Sequence, residues 1–229
     1  MLSPEAYLNK VVEQFDEKGD PHVAEQQMAY LKNYFEFFGM RAPIWLGVAK
    51  DLFKTEGVFA GEELKRFVRL CFEDDHRECH YLGLQMVEKT IKKQSKDYIH
   101  FLEELILTNS WWDSVDWLSK MVSMHFQRFP DLLPNTPNRW IESDHMWLQR
   151  VAIIFQRYKK YPTDWAMLQR YILKHQHSQE FFIQKAMGWA LRDESKEHPA
   201  EVLAFIKANA LPKLTQREGL KWLKKEGLV

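Results

Sequence analysis

Three tryptophans and two aspartates lie within nine residues of this chain, in the stretch SWWDSVDWL that begins at Ser110. If the stretch is helical, Trp112 and Asp116 are four residues apart and stand one above the other on the same face. A carboxylate and the face of an indole both attract positive charge. The pair could therefore form a site that stabilises a cation. The alternative is a half-buried tryptophan beside an aspartate in a surface ion pair.

Helical spacing predicts how the two adjacent tryptophans divide between core and surface. Ser110 is expected to cap the helix, with Asp113 closing a capping box three residues later. Trp111 then falls on the apolar stripe, whereas Trp112 points about a quarter-turn away. The polar side of the helix is predicted to carry four residues: Trp112, Asp116, Ser119 and Ser123.

Helices are the elements that the sequence offers to position these side chains. Apolar residues recur at intervals of three and four, the helical period, and Gly- or Pro-containing segments separate the periodic windows. The sequence contains neither an Asn-Gly nor an Asp-Gly hairpin turn. We therefore predict an all-α protein of about a dozen helices with short loops.

Three helical segments of the chain resemble one another. They are DDHRECHYLGLQMVEK, SDHMWLQRVAIIFQRY and HSQEFFIQKAMGWALR. Their alignment matches Tyr81, Arg150 and Lys185, at intervals of 69 and 35 residues, and leaves room for a further member near residue 116. Chance similarity between amphipathic helices is the alternative to a true repeat.

A two-helix unit of about 35 residues is typical of HEAT-like or TPR-like solenoids. The expected fold is therefore a single domain over residues 1–229, an α-solenoid of antiparallel helix pairs. We expect it to be C-shaped, with equivalent residues of successive repeats lining one concave groove.

The overall composition limits the ways in which the protein could bind a partner. Lys+Arg and Asp+Glu both number 32, so the formal net charge is zero. Any contact with nucleic acid must then rest on a local basic patch. There are two cysteines, no secretory signal, and no apolar run approaching the ~18 residues of a membrane span. We expect a reduced, soluble, intracellular protein.

Three blocks of sequence, TNSWWDSVD, WLQRVAIIFQ and EFFIQKAMGWALR, resemble the AlkD-type DNA glycosylases of the HEAT-like repeat class. The likeness also takes in MAYLKNYFEFFG and covers nearly the whole chain. It implies a bacterial enzyme that excises N3- and N7-alkylated purines, such as 3-methyladenine and 7-methylguanine, from double-stranded DNA. It also implies a monomer in the cytoplasm, associated with the nucleoid when bound to DNA, and neither a metal nor another cofactor.

The resemblance assigns roles to individual residues. Trp112 and Trp189 match the two tryptophans of the catalytic cleft, and Asp116 matches the catalytic aspartate. Arg150 matches a cleft arginine and Tyr30 a DNA-facing tyrosine. The aspartate would stabilise an oxocarbenium-like sugar and position a water, without an enclosing base pocket. We expect Arg150 to hold a backbone phosphate; a structural ion pair is the alternative. By periodicity alone, Trp189 belongs to the core.

Two departures from the family pattern concern the expected DNA contacts. Arg41 stands where these enzymes commonly have Gln, and Ile44-Trp-Leu-Gly47 replaces a polar, Arg-containing turn. The candidate contributors to a locally positive face are Arg41, Lys89, Arg150 and Lys185. Two basic clusters are solvated helix faces or flank a DNA groove: Lys89, Lys92, Lys93, Lys96 and Arg157, Lys159, Lys160.

Two further interpretations stay open. In the segment HRECH, His76, Cys79 and His80 could share a helix face and bind a metal, although we expect a packed cysteine and solvated histidines. A non-catalytic HEAT-like scaffold that binds protein or nucleic acid is the alternative function. Such a scaffold would not need a carboxylate and two indoles on one groove.

Overall fold

The computed structural model describes residues 2–158 and 163–229. These residues form fourteen α-helices, and their one strand-type pairing is an isolated bridge between Glu36 and His76. The all-α prediction is confirmed. None of the described helices is both long and apolar enough to cross a membrane. Lys159 and Lys160 of the second basic cluster lie outside the described residues.

The chain packs as two compact units, residues 1–95 and 96–229. Unit 1 contains α1 (Pro4–Lys18), α2 (Pro21–Tyr30), α3 (Ala42–Thr55), α4 (Gly61–Glu73) and α5 (Arg77–Thr90). Unit 2 contains α6 (Tyr98–Leu107), α7 (Trp112–Arg128), α8 (Asn135–Glu142), α9 (Met146–Ile154), α10 (Trp165–Lys174), α11 (Phe181–Glu194), α12 (Pro199–Ala208), α13 (Lys213–Gly219) and α14 (Lys221–Lys225). A single C-shaped repeat domain over residues 1–229 stays a prediction.

The core of unit 1 forms where α4 packs against α1 and α5. The ring of Tyr7 lies 5.1 Å from that of Phe67 and 5.4 Å from that of Phe59, and all three side chains are buried. On α5, a Cβ added at Gly83 would lie 3.1 Å from Cys71 Cβ on α4. The absence of a side chain there allows the two helices to approach closely.

A buried carboxylate fixes the loop that precedes α3. Glu78, on α5, accepts hydrogen bonds from the backbone N–H groups of Phe38, Gly39 and Met40 at 3.0–3.1 Å. Gly39 has φ = +94°, a conformation that favours glycine. Burial raises the pKa of Glu78 against these hydrogen bonds, which favour its charged form. The loop and the start of α3 are therefore held by α5.

The HRECH segment takes part in the packing of unit 1. Cys79 is buried, as expected, but His80 is also buried, so the prediction of solvated histidines is wrong for this residue. Arg77 donates to Nδ1 of His80 at 2.8 Å, and Nε2 of the same ring donates to the Asp74 carbonyl oxygen at 2.8 Å. Both ring nitrogens of His80 are therefore used within the protein.

In unit 2, α11 packs against both α9 and α13. Its contact with α13 depends on a glycine. A Cβ added at Gly188 would lie 2.5 Å from Glu218 Cβ and 3.0 Å from the Thr215 carbonyl oxygen. This close approach brings the Glu218 carboxylate, which is buried, beside the cations of α11.

Candidate active site

The start of α7 differs from the predicted cap. Trp111 is the N-cap residue, and the reciprocal contact is made with Ser114. The Ser114 hydroxyl accepts from the Trp111 N–H at 3.4 Å and donates to the Trp111 carbonyl oxygen at 3.1 Å. The Ser110 hydroxyl donates back to α6 instead. The prediction that Ser110 and Asp113 form the capping box is therefore wrong, because the extended residue before the helix is Trp111.

The two adjacent tryptophans are both half-buried. Trp111 meets Trp147 and Phe182 edge to face, with ring centroids 5.9 and 5.3 Å apart. Trp111 therefore belongs to an aromatic cluster. It is only half-buried, whereas the sequence predicted a core position for it. Trp112 is the first residue of α7, one helical turn before Asp116. This spacing places the indole and the carboxylate on the same side of the helix.

The side of α7 that was predicted to be polar and exposed is partly buried. Ser119 and Ser123 are fully buried, contrary to the prediction. The Ser119 hydroxyl is satisfied within the helix, since it donates to the Val115 carbonyl oxygen at 2.9 Å. Small side chains that satisfy their own hydrogen bonds allow this face of α7 to pack closely below Asp116.

Asp116 is bound on both carboxylate oxygens by Arg150 of α9. The Nε–Oδ1 distance is 2.7 Å and the Nη2–Oδ2 distance is 2.9 Å. Arg150 also donates from Nη1 to the Phe182 carbonyl oxygen at 2.6 Å. Its side chain is 1% exposed, whereas that of Asp116 is 19% exposed. The pair therefore presents the carboxylate, in a fixed orientation, to the solvent side.

This geometry changes the role expected of Arg150. All three guanidinium nitrogens donate to Asp116 or Phe182, and the side chain is buried. The structure shows the ion-pair alternative, so we revise Arg150 from a phosphate ligand to the residue that orients Asp116. Bidentate arginine–carboxylate pairs are strong and directional, which suits this task.

Three cationic side chains surround the ring of Trp189, on α11. The cationic centres lie 5.1, 5.2 and 5.1 Å from its ring centroid and belong to Arg150, Arg157 and Lys185. The indole itself is half-buried, so the prediction from periodicity of a core tryptophan does not describe it fully. The ring is linked to Asp116 through Arg150, and cation–π attraction helps to hold it in place.

Each of the other two cations beside Trp189 forms an ion pair with a carboxylate that also binds other cations. Arg157 donates from Nε to Asp193 at 2.5 Å, and Lys185 contacts Glu218 at 3.0 Å. Burial acts to raise the pKa of both acids, but their cations outweigh it and lower the pKa of each. These cations are Lys196 and Arg157 at Asp193, and Lys221 and Lys185 at Glu218. All three cations beside the indole are therefore ion-paired.

Several residues around Trp189 could not be assigned to the site from the sequence. Asp193 and Glu218 are ordinary acids there, and Arg157 is part of a basic cluster. Tyr158 is a further such residue, half-buried beside Arg157, whose guanidinium carbon lies 5.8 Å from its ring. Burial raises the pKa of Tyr158, and the charges of Asp116 and Arg157 act on it as well. Only the assembled structure places these groups together.

Five predicted site residues belong to unit 2, and contacts in the structure link four of them: Asp116, Arg150, Trp189 and Lys185. Arg150 contacts Asp116 and Trp189 directly, and Lys185 lies beside Trp189. Trp112 precedes Asp116 by one turn of α7.

The other predicted DNA-binding residues belong to unit 1. Tyr30 is the last residue of α2 and is 68% exposed. Arg41 is exposed and is the N-cap of α3, where its side chain makes no capping hydrogen bond. Lys89 is exposed near the end of α5. Their contacts with DNA stay predictions.

Comparison with known proteins places the chain in a family. A family model described as DNA alkylation repair enzyme matches residues 11–223. The chain belongs to this family. A solved structure from Enterococcus faecalis, described as a predicted DNA alkylation repair enzyme, is 30% identical to the chain. The alignment covers 90% of this chain and 97% of that one, with a TM-score of 0.85.

Two structures from Streptococcus mutans share the fold of this DNA alkylation repair protein. AlkD2 is 19% identical, over 87% of this chain and 98% of that chain, with a TM-score of 0.61. The protein smu.31 is 18% identical, over 88% and 98%, with a TM-score of 0.59. No curated protein matches the chain. The resemblance to AlkD-type helical repeat proteins is confirmed, and membership of the family supports a role in alkylation repair.

Proposed function

We propose that this DNA alkylation repair protein is an N-glycosylase. Its substrates would be cationic N3- and N7-alkylated purines, such as 3-methyladenine and 7-methylguanine, in double-stranded DNA. The observation that supports this most directly is the Asp116 carboxylate, which a buried arginine orients. Trp112 lies one turn before Asp116 on α7, and Trp189 on α11 contacts the same arginine. From the resemblance we extend the proposal to a cytoplasmic monomer that acts on nucleoid DNA.

The chemistry of the substrate fits a site of this kind. Alkylation at N3 or N7 makes the purine cationic, so cleavage of the bond between the sugar C1′ and the base nitrogen releases a neutral base. The bonding electrons leave with the base, and positive charge develops on the sugar. A water oxygen then bonds to C1′ and loses a proton. The site must therefore stabilise an oxocarbenium-like sugar and place a water, and it needs little acid catalysis of base departure.

Asp116 is suited to both tasks. Both of its oxygens accept hydrogen bonds from Arg150, which fixes the plane of the carboxylate before substrate binds. Preorganised charge stabilises a transition state without a further reorganisation cost. The side chain is 19% exposed, so a water that reaches it could give up a proton to one of the remaining lone pairs. The buried arginine thus supplies orientation, and the aspartate supplies the anion at the sugar.

The two tryptophans would line the path of the sugar. Their π faces favour positive charge and their flat surfaces pack against an uncharged ring. Trp189 is held by Arg150, Arg157 and Lys185, each of which is paired with a carboxylate. Arg150 contacts both the indole and the carboxylate, and together the two would form a surface for the sugar, as the resemblance implies, without requiring a pocket for the base.

The direct test is the release of free 7-methylguanine or 3-methyladenine from methylated double-stranded DNA, measured by mass spectrometry of the released bases. We expect release by the wild-type protein well above the spontaneous rate. The same assay with undamaged DNA should release no purine. A protein that binds the DNA but releases no methylated base would instead be the non-catalytic scaffold.

A further inference from the structure

Glu218, on α13, is a buried carboxylate to which the proposed chemistry assigns no role. Its side chain is 2% exposed and accepts hydrogen bonds from the ammonium groups of Lys185 at 3.0 Å and Lys221 at 2.8 Å. The Arg192 guanidinium lies 3.7 Å from the second carboxylate oxygen. One buried anion is therefore shared by three cations.

The contact between α13 and α11 fixes the position of Glu218. A Cβ added at Gly188, the residue before Trp189, would lie 2.5 Å from Glu218 Cβ. Burial acts to raise the pKa of Glu218, but hydrogen bonds and charges from Lys221 and Lys185 outweigh it and lower the pKa. The carboxyl group is therefore ionised at neutral pH.

Lys185 carries the effect of this charge to the indole. Its ammonium lies 3.0 Å from the Glu218 carboxylate and 5.1 Å from the centroid of the Trp189 ring. In the proposed reaction, positive charge develops on a sugar that packs against this ring. An unpaired ammonium beside the ring would repel the developing charge, whereas a carboxylate in contact with the ammonium cancels most of its field at that distance.

The other acids near the ring have cations of their own to compensate. Asp116 is bound by Arg150 on both oxygens, and Asp193 is paired with Arg157. Asp116 must also supply the anion that stabilises the sugar. The charge of the lysine beside the ring is therefore left to Glu218.

We propose that Glu218 is a positioning residue of the active site, which holds Lys185 and neutralises its charge so that Trp189 can face a sugar on which positive charge develops. This inference rests on the proposed function in taking that sugar as the reacting group. Glu218 acts through Lys185 and does not touch the substrate. Loss of its charge should weaken the preference of the site for a cationic sugar. Attraction to the DNA phosphates should not weaken, because the lost charge is negative.

The test compares two double-stranded DNAs from which no base can be excised at the altered position. In one, a single nucleoside is replaced by a pyrrolidine ring, which is protonated at neutral pH. In the other, the same nucleoside is replaced by a neutral tetrahydrofuran ring. The ratio of their dissociation constants, measured by fluorescence anisotropy on the full-length protein, reports how strongly the site prefers a cation at the sugar. We expect the wild-type protein to bind the pyrrolidine DNA more tightly.

Glu218→Gln keeps the shape of the side chain and removes its charge. We expect the preference for the pyrrolidine DNA to fall roughly tenfold, the effect of one uncompensated charge about 10 Å away at an effective dielectric constant of about 20. Undamaged DNA should bind no more weakly than it does to the wild type. Glu194→Gln is the matched control, since Glu194 is another buried carboxylate, on α11, and pairs with His198 at 2.8 Å. This variant should keep the wild-type preference.

Lys221→Gln provides a second test that leaves the buried carboxylate in place. The Lys221 side chain is 50% exposed, and its removal leaves Glu218 with one cation fewer to compensate. The preference for the pyrrolidine DNA should therefore rise. Lys174→Gln, which removes an exposed lysine paired with Glu142, should leave the preference unchanged. These two variants decide the proposal even where Glu218→Gln does not fold.

Three results would overturn the proposal. They are a wild-type protein without preference for the pyrrolidine DNA, an unchanged preference in both Glu218→Gln and Lys221→Gln, and equal losses in Glu218→Gln and Glu194→Gln. A Glu218→Gln protein that differs from the wild type only in melting temperature would show a purely structural role.

Single-turnover release of 7-methylguanine separates this proposal from the proposed function. If the wild-type protein releases the base, Glu218→Gln should lower the maximal rate without raising the protein concentration needed for half of it. If the wild-type protein releases no base, the proposed glycosylase activity fails, while the two dissociation constants still decide the role of Glu218.

Discussion

At the scale of single residues, Asp116 supplies the negative charge of the proposed site, and Arg150 fixes the position of its carboxylate. Asp116→Asn keeps the shape of the side chain but removes the anion from the proposed oxocarbenium site. We expect excision to slow by on the order of a hundredfold or more. The change also leaves the buried Arg150 without its counter-charge, which is destabilising. Single-turnover release of 7-methylguanine must therefore be measured on protein shown to be folded.

Asp113 serves as the control for this prediction, since it lies three residues earlier on the same helix. It is in the first turn of α7 but is not the partner in the capping box. Asp113→Asn should reduce stability by up to ~1 kcal/mol, through lost interaction with the helix dipole, and leave excision largely intact. A wild-type rate for Asp116→Asn, or an inactive Asp113→Asn, would contradict the assigned site.

Arg150 allows a second prediction at this scale. Arg150→Lys keeps a positive charge but cannot reproduce the bidentate contact with Asp116 and the contact with the Phe182 carbonyl. We expect slower excision together with an unchanged salt slope for DNA binding, because a buried side chain releases no counterion from DNA. A slope that becomes shallower by about one, with a normal rate of excision, would restore the phosphate contact expected from the sequence.

At the scale of helices, the packing of α13 on α11 sets the surroundings of Trp189. Gly188→Ala would place a Cβ 2.5 Å from Glu218 Cβ, so α13 would have to move. Overpacking of this kind costs about 1–3 kcal/mol. We expect a lower free energy of unfolding, measured by chemical denaturation, and weaker excision, because Lys185 takes its position from Glu218.

Gly47 offers the matched control for this helix contact. It also lies within a helix, α3, but a Cβ added there would meet nothing within 4 Å. Gly47→Ala should therefore stabilise the protein by roughly 0.5–1 kcal/mol, because alanine loses less backbone freedom on folding. No effect of Gly188→Ala would contradict the close packing of α11 and α13, and an equal loss of stability in Gly47→Ala would show that the effect is not specific to this contact.

At the scale of the whole molecule, the sequence predicted the kind of elements better than the contacts between them. Helical periodicity was sufficient for an all-α fold, and the resemblance named Asp116 and Trp189, which the structure links through Arg150 but whose catalytic roles stay predictions. Neither could identify Asp193 or Glu218 as ion-pair partners, because such contacts join helices more than 30 residues apart. Periodicity also failed for Ser119, since a small polar residue can be buried when it satisfies its own hydrogen bond.

Two histidines are expected to make the free energy of unfolding depend on pH. His125 is buried, with Nε2 2.9 Å from the Lys96 carbonyl oxygen, and His175 has Nε2 3.3 Å from that of Ile141. Both rings can donate to these carbonyls while neutral. Burial lowers the pKa of each histidine below its ordinary value. The neutral forms are therefore favoured in the folded protein relative to the unfolded chain.

The free energy of unfolding should consequently fall as the pH drops below about 6.5, where histidines of the unfolded chain take up protons that the folded protein excludes. The loss continues down to the lowered pKa of each folded histidine, at no more than about 1.4 kcal/mol per pH unit for one proton. Urea denaturation at pH 7.5 and 5.5 measures the difference. His125→Gln keeps a donor for the Lys96 carbonyl without titrating, so it should reduce the pH dependence. His177→Gln, at an exposed position, should not. Equal pH dependence in wild type and His125→Gln would show that His125 does not contribute, because the proton uptake attributed to it would then occur in both states of the chain.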